Sequence, residues 1–332
     1  MMQHPAIIAL LVSSLIISGM LLYAGWYGTR IIEKWDLSSG SELQLMLERQ
    51  TYLISTILNY TFVFQILSLF LFIYTADNLH GLFTGAMCAA GTLNVNSEGY
   101  PTLILKIVTC ILAGVWLIIN YADNRGYDYP LIKVKYTLLQ ILAALVLIET
   151  SIQFVFFSQL RGDVITSCCG RLFSVERPGI TGDIAALPPG IMEPAFFASM
   201  AVTGMCGLIF YLKGRGGYLF SAMSSLAFII AVVSLISFIC LYFYELPSHH
   251  CPFCIFQKDY GYIGYALYLT LLGGGVAGLG TGALMPFRTR GSMSLVIPHL
   301  QRRLAATAVV FYLAFTLMVT CRVIFSSFRL NG

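Results

Sequence analysis

The chain has 332 residues, of which 58% are hydrophobic and only 10% are charged, and its mean hydropathy is +0.81. Because soluble domains carry about 25% charged residues, this composition excludes a soluble globular protein and indicates an integral membrane protein. The formal net charge is only +4, and lysine and arginine are scattered through short loops, which excludes an extended basic surface for nucleic acid.

Eight apolar stretches follow one another along the chain, and each has the roughly 20 residues that a helix needs to cross a bilayer. The predicted spans are 6–27, 52–74, 101–121, 134–157, 191–212, 218–244, 251–285 and 304–325. No positive segment precedes the first span and no small-residue cleavage site follows it, so we expect a spanning helix and not a signal peptide. The sequence therefore predicts an all-α integral membrane protein with about eight transmembrane helices.

The seventh span carries a ladder of small residues, with Gly274, Gly278 and Gly282 at every fourth position. Glycines spaced in this way lie on one face of a helix and let a neighbouring backbone approach closely. We therefore expect this face to pack against another helix and not to bind a ligand.

The distribution of positive charge predicts the orientation of the spans. Twelve of the nineteen lysines and arginines lie on one side of the membrane, in the connecting segments or at the adjoining ends of the spans. These residues are in the segments around 30–49, 125–135, 213–215 and 288–303. The positive-inside rule places that side in the cytoplasm and both termini on the exoplasmic side. Cys88, the adjacent pair Cys168 and Cys169, and the pair Cys251 and Cys254 then all lie on the exoplasmic side, where disulfides persist.

The segment 249–258 reads HHCPFCIFQK and contains a Cys-x-x-Cys pair. Proline is favoured at the first position of a helix, so Pro252 predicts that a helix begins here, with Cys251 as its N-cap and the more exposed of the two cysteines. The positive end of the helix dipole favours a thiolate, and such a pair is typical of a reversible dithiol/disulfide couple. Lys258 would follow Cys254 by one turn on the same helix face, where a cation can stabilise the Cys254 thiolate.

The other cysteines divide into two groups. Cys110, Cys206, Cys240 and Cys321 lie inside apolar runs, so we expect them to pack between helices. Cys168 and Cys169 lie in a long loop rich in Gly, Pro and Arg, which suits a mobile exchange partner. Neighbouring Cα atoms are about 3.8 Å apart, closer than the usual disulfide separation, so one of this pair is expected to bond to Cys251 and not to its neighbour.

The run Cys251-Pro252-Phe253-Cys254, followed by Gln257 and Lys258, resembles the active-site motif of the DsbB family of membrane thiol oxidases, in which an arginine takes the place of Lys258. The order of the elements resembles that of the related vitamin K epoxide reductase family, with loop cysteines before a helix that carries the Cys-x-x-Cys. The motif covers about ten residues. The ordered match covers spans four to seven, and the adjacent Cys168 and Cys169 differ from the spaced loop pair of both families.

This resemblance implies a membrane thiol:disulfide oxidoreductase that passes electrons between exoplasmic dithiols and a membrane quinone. It implies a three-span region of unknown role over 1–130, a four-helix redox bundle over 131–290 and a terminal helix over 291–332. The implied partners are the lipid bilayer and a soluble exoplasmic thioredoxin-like protein, with no nucleic acid and no metal. The implied catalytic residues are Cys168, Cys169, Cys251 and Cys254, and the residues expected to line a quinone site are Lys258, Tyr262 and Tyr265.

Two other functions fit parts of the same pattern. His249, His250, Cys251 and Cys254 are ligands suited to copper or zinc, and with Cys88 and Cys168 nearby the protein would be a metal-handling protein or a permease for a metal or thiol compound. His80 with His249 or His250 is a pair suited to a haem, which would make it an electron-transfer membrane subunit. Neither alternative accounts for Pro252 or Lys258.

Overall fold

A computed structural model describes residues 2–36, 39–166, 184 and 187–327. Cys168 and Cys169, and with them the predicted disulfide to Cys251, lie outside the described residues. Over the described ranges the chain forms helices and turns and contains no strand. The prediction of an all-α protein is confirmed.

Ten α-helices are described. Those of the first half are α1 (Pro5–Lys34), α2 (Glu42–Asn78), α3 (Ala89–Leu93), α4 (Gly99–Asp123) and α5 (Ile132–Ser158). Those of the second half are α6 (Pro189–Lys213), α7 (Gly217–Ser234), α8 (Cys240–Tyr244), α9 (Ile263–Ala283) and α10 (Met293–Phe325). A π-helical turn, Leu235–Ile239, joins α7 to α8 without a break, so that residues 217–244 form one span.

Eight helical segments in the described part of the chain are long and apolar enough to cross a membrane, which confirms the predicted number. The first, third, fourth, fifth and sixth begin within one or two residues of the predicted position, because hydrophobic length is a local property of the sequence. The second and eighth are longer than predicted and begin at Glu42 and Met293. The chain is therefore a multi-pass membrane protein with the lipid bilayer as its partner.

The seventh span does not begin where the sequence predicts. Cys254–Phe256 and Lys258–Tyr260 form two short 3₁₀ turns, and Gln257 between them has an extended backbone (φ −80°, ψ 160°). Gly261 and Tyr262 then adopt positive φ of 62° and 56°, and the α-helix begins only at Ile263. The helix predicted from Pro252 is therefore wrong, because left-handed residues stop a helix before it can continue into the span.

Contacts divide the chain into two compact units that alternate in sequence. The first comprises Met1–Phe72, Ser97–Leu160 and Ala283–Gln301, and the second comprises Ile73–Asn96, Arg161–Gly282 and Arg302–Gly332. The helix α5, which is the first member of the predicted redox bundle, belongs to the first unit and packs there against α1 and α4. The division into regions of different function remains a prediction.

Two buried ion pairs join α4 to α5 inside the first unit. Lys106 Nζ lies 2.7 Å from Glu149 Oε1, and Lys135 Nζ lies 2.7 Å from Asp123 Oδ2, with all four side chains at most 1% exposed. Thr109 and Gln65 donate hydrogen bonds of 2.6 and 2.8 Å to Glu149 Oε2. Charges in a membrane interior persist only when they are paired and hydrogen-bonded in this way.

The glycine ladder of α9 packs in the second unit as expected. A Cβ atom at Gly278 would overlap Ser224 Oγ, and one at Gly282 would overlap Ser221 Oγ, both on α7. A Cβ atom at Gly274 would meet the ring of Tyr312 on α10 at 3.1 Å. The prediction of close helix contact along this face is confirmed.

Candidate functional site

The second unit brings three cysteines together. The sulfur atoms of Cys88, Cys251 and Cys254 all lie within 4.8 Å of one another, and those of Cys88 and Cys251 are 3.6 Å apart. All three are buried, with exposed fractions of 0%, 0% and 4%. We refer to these three residues as the thiol cluster. Three sulfurs this close can bind a common ligand, and a small movement would allow two of them to form a disulfide.

The loop after α2 positions Cys88. It makes a 3₁₀ turn at His80–Leu82 and then extends, and Cys88 directly precedes the short helix α3. Asp77 Oδ1 accepts a hydrogen bond of 3.1 Å from the Ala89 amide, which fixes the start of α3 beside the end of α2. Cys88 is thereby held at a defined place although its segment is a loop.

Gln257 forms hydrogen bonds that connect the Cys-x-x-Cys segment to the end of α2 and the loop that carries Cys88. Its Nε2 donates hydrogen bonds of 2.7 Å to the Met87 carbonyl and 3.4 Å to Asp77 Oδ1. The Cys88 segment also bonds to Thr166, whose amide donates to the Thr84 carbonyl at 3.0 Å. Thr166 is the last described residue before Cys168. Hydrogen bonds between segments distant in sequence therefore set the separation between Cys88 and the Cys-x-x-Cys pair.

Tyr244, at the end of α8, clamps the Cys-x-x-Cys backbone. Its hydroxyl donates to the Cys251 carbonyl at 2.5 Å and accepts from the Ile255 amide at 3.0 Å. Tyr268 on α9 donates to the Pro252 carbonyl at 3.1 Å, and its ring stacks on that of Phe256 at a centroid distance of 5.0 Å. Because the Cys-x-x-Cys segment is not α-helical, these backbone N–H and C=O groups lack helical partners, and the two tyrosine hydroxyls provide hydrogen bonds in their place.

The two histidines have different environments. His249 Nε2 lies 3.3 Å from Cys254 Sγ, and its ring meets that of Tyr244 edge to face at 4.6 Å. His250 Nδ1 is hydrogen-bonded at 2.8 Å to the Ile236 carbonyl within the π-helical turn. His249 therefore borders the thiol cluster, whereas His250 anchors the segment to the preceding span.

The residues predicted to line a quinone site lie at the rim of this region. Lys258 is exposed, Tyr262 is 50% exposed, and Tyr265 is half-buried with its ring 4.9 Å from that of Phe256. Lys258 does not continue a helix from Cys254, so the predicted relation of one helical turn is wrong. Burial, followed by the charges of Cys254 and Asp259, raises the pKa of the nearby Tyr260 above its ordinary value.

The predicted difference in exposure between the paired cysteines is also wrong. Cys251 is completely buried while Cys254 keeps 4% of its surface, and neither caps an α-helix. The reason is that the Cys251 carbonyl accepts a hydrogen bond from Tyr244 and its sulfur contacts that of Cys88. Both are contacts with other segments, which a local sequence pattern does not predict. Stabilisation of a thiolate by a helix dipole accordingly does not apply to this pair.

Three residues of the site have no role in the predicted redox reaction. Cys88 was expected on the same side of the membrane as Cys251 and was considered only for the metal-handling alternative, and Asp77 and Tyr244 were not identified. Asp77 and Tyr244 each lie at the end of a helix, where polar and aromatic residues are common, so no local pattern marks either residue as part of a site.

The cysteines expected to pack between helices are only partly enclosed. Cys110 and Cys240 are buried, whereas Cys206 is intermediate and Cys321 is exposed. The prediction therefore holds for the first two and is wrong for Cys321, because an apolar helix face can point away from the protein as well as toward it.

In comparisons with known proteins, the chain matches no protein-family model, no curated protein and no solved structure.

Proposed function

We propose that this protein is a membrane thiol:disulfide oxidoreductase in which Cys251 and Cys254 form the redox couple and Cys88 is the third exchanging thiol. The observation that carries the proposal is the convergence of three sulfurs within 4.8 Å. Exchange requires a thiolate to attack a disulfide sulfur, so a third thiol beside a Cys-x-x-Cys pair supplies the attacking group. The resemblance of the Cys251–Lys258 run to the DsbB motif supports the same chemistry.

The chemistry balances in three steps. When Cys251 and Cys254 form a disulfide, they release two electrons and two protons, and a membrane quinone that accepts both becomes a quinol. When the Cys88 thiolate then attacks Cys251, the Cys251–Cys254 bond breaks, a Cys88–Cys251 disulfide forms and Cys254 leaves as a thiolate. No electrons are lost in this second step. An exoplasmic dithiol of a thioredoxin-like protein closes the cycle by reducing the new disulfide and becoming oxidised itself.

The location and the quinone site belong to the same proposal. The excess of lysine and arginine in the alternate loops supports an exoplasmic position for the thiol cluster and for both termini. Lys258, Tyr262 and Tyr265 form the side of the segment proposed to face the quinone, where a cation can stabilise the charge of a reduced ring.

A turnover assay tests the proposal. The purified protein in lipid nanodiscs is given dithiothreitol and a short-chain quinone, and quinone reduction is followed by absorbance. Cys251→Ser and Cys254→Ser are expected to reduce turnover to the uncatalysed rate, because neither variant can form the disulfide. Cys321→Ser is the control, since Cys321 is an exposed thiol outside the cluster, and it is expected to keep the wild-type rate.

A second comparison separates the quinone step from exchange. Lys258→Met is expected to slow quinone reduction while leaving the rate of thiol exchange with a model disulfide unchanged, and Lys213→Met serves as the matched control. Wild-type turnover in Cys251→Ser or Cys254→Ser would contradict the proposed redox couple. Wild-type turnover in Lys258→Met would remove Lys258 from the quinone site.

A further inference from the structure

The spacing of the donor atoms in the thiol cluster matches that of a metal centre. In a tetrahedral zinc site with Zn–S bonds of about 2.3 Å, the sulfurs are about 3.8 Å apart, and a histidine nitrogen lies about 3.6 Å from each sulfur. Cys88 and Cys251 have a sulfur separation of 3.6 Å, and all three sulfurs lie within 4.8 Å of one another. His249 Nε2 is 3.3 Å from Cys254 Sγ. The group of ligand atoms within 4.8 Å contains the three sulfurs and not His249, so the imidazole would have to move toward Cys88 and Cys251 to become the fourth donor.

The donor set is chemically selective. Three thiolates and one imidazole suit Zn²⁺ and Cu⁺, whereas magnesium and calcium require oxygen ligands. Among the described residues, these three cysteines are the one group of three or more His, Cys, Asp or Glu whose ligand atoms come this close together. Cys88 and the Cys251/Cys254 pair come from different loops, and the hydrogen bond from Gln257 to the Met87 carbonyl joins these loops independently of any ion. Tyr244 holds the Cys-x-x-Cys backbone through the Cys251 carbonyl.

We infer that the reduced thiol cluster binds one thiophilic metal ion, Zn²⁺ or Cu⁺, through the sulfurs of Cys88, Cys251 and Cys254 and Nε2 of His249. The inference uses the thiols of the proposed redox function but does not depend on that function. Binding releases the thiol protons, since the metal is held by thiolates. A disulfide between Cys251 and Cys254 removes two of the four donors, so oxidation of the pair expels the ion.

The affinity of the four donors can be measured directly. Tag-free protein in detergent is reduced without oxygen, and Zn²⁺ is titrated against a chelating dye, with Cu⁺ titrated against bicinchoninate in a parallel series. We expect one ion per chain in at least one series. Cys88→Ser, Cys251→Ser, Cys254→Ser and His249→Gln are each expected to weaken binding at least ~10-fold, because even the loss of a supporting contact at such sites has an effect of that size.

Matched controls exclude adventitious binding. Cys321→Ser and His299→Gln remove an exposed thiol and an exposed imidazole outside the cluster, and both are expected to bind the ion as the wild type does. Substitution with Co²⁺ gives a second readout, because thiolate-to-cobalt charge-transfer bands report sulfur ligands without any assay of activity. Thermal unfolding of each apo variant shows whether it has folded.

Three results would overturn the inference. They are the absence of stoichiometric binding in both series, an unchanged affinity in any of the four donor variants that folds, and equal binding by reduced and disulfide forms. The outcomes also separate the two proposals. Metal binding without quinone turnover supports this site and rejects the redox function, whereas turnover without metal binding does the reverse.

Discussion

Cys88 Sγ lies 3.6 Å from Cys251 Sγ, although 163 residues separate the two cysteines along the chain. A disulfide requires a bond of about 2.05 Å, so a movement of about 1.5 Å would join them. In Cys254→Ser, Cys251 lacks its neighbour in the motif, and we expect a Cys88–Cys251 disulfide to accumulate under mild oxidation. Proteolysis followed by non-reducing mass spectrometry would identify the crosslinked peptides.

The same experiment tests the exchange predicted from the sequence. A crosslink from Cys251 to Cys168 or Cys169 in place of Cys88 would show that the long loop carries the exchange and would reject the role proposed for Cys88. Cys254→Ser combined with Cys88→Ser is the control, and it is expected to lose the first crosslink.

Tyr244→Phe tests how the Cys-x-x-Cys segment is held. Loss of the hydroxyl removes the bonds to the Cys251 carbonyl and the Ile255 amide, and Ile255 is completely buried. A buried amide left unsatisfied costs about 1–3 kcal/mol, so the free energy of unfolding is expected to fall by that amount. Tyr127→Phe is the control, because Tyr127 is 85% exposed. Equal stability of the two variants in denaturant titrations would contradict the proposed clamp.

The buried pair Lys106–Glu149 should be sensitive to the loss of one partner. Glu149→Leu leaves the Lys106 ammonium buried without its counter-charge, and we expect a loss of about 3–5 kcal/mol. Lys106→Met combined with Glu149→Leu removes both charges, so the double variant is expected to be more stable than Glu149→Leu alone. The free energies of unfolding of Lys106→Met, Glu149→Leu and the double variant are measured in mixed micelles and compared. Additive losses from the two substitutions would show that the charges act independently.

Gly278→Ala tests the packing of α9 against α7. The new methyl group would overlap Ser224 Oγ, so we expect a destabilisation of about 1–3 kcal/mol. Gly204→Ala in α6 is a matched control, because a Cβ atom there has no neighbouring atom within 4 Å. A helical glycine in open space is expected to gain up to ~1 kcal/mol on replacement by alanine. The two substitutions should therefore have opposite signs in thermal unfolding.

The orientation of the spans can be tested with introduced cysteines at two exposed positions. Leu246 is 51% exposed in the loop that carries the Cys-x-x-Cys, and Tyr127 lies in the loop between α4 and α5. From the distribution of lysine and arginine we expect an impermeant maleimide to label Leu246→Cys in intact cells and Tyr127→Cys only after permeabilisation. The reverse pattern would place the thiol cluster in the cytoplasm, and the parent protein supplies the background from native thiols.

The spans could be predicted well from the sequence, and the site only in part. Hydrophobic length and the glycine ladder are local signals, so the eight spans and the close face of α9 could be identified without a structure. The contact of Cys88 with Cys251 is supported by the hydrogen bond between Gln257 and Asp77, which are 180 residues apart in the sequence. No local sequence pattern predicts a contact between residues so far apart. The start of the seventh helix was misplaced because Pro252 signals a helix start, while Gly261 and Tyr262 delay it.

The two ion pairs of the first unit have a consequence for how the protein enters the membrane. Both pairs join α4 and α5, which are consecutive in the chain and separated by a short loop. Lys106 and Glu149 lie inside their helices, whereas Asp123 and Lys135 lie at the helix ends next to the loop. A single charge at the centre of a helix opposes insertion by about 2.5–3.5 kcal/mol, so Lys106 and Glu149 make each helix less suited to enter lipid alone. As a hairpin the two helices present their charges to each other instead of to lipid. We therefore expect insertion of this region to be more favourable for the two helices together than for either helix alone.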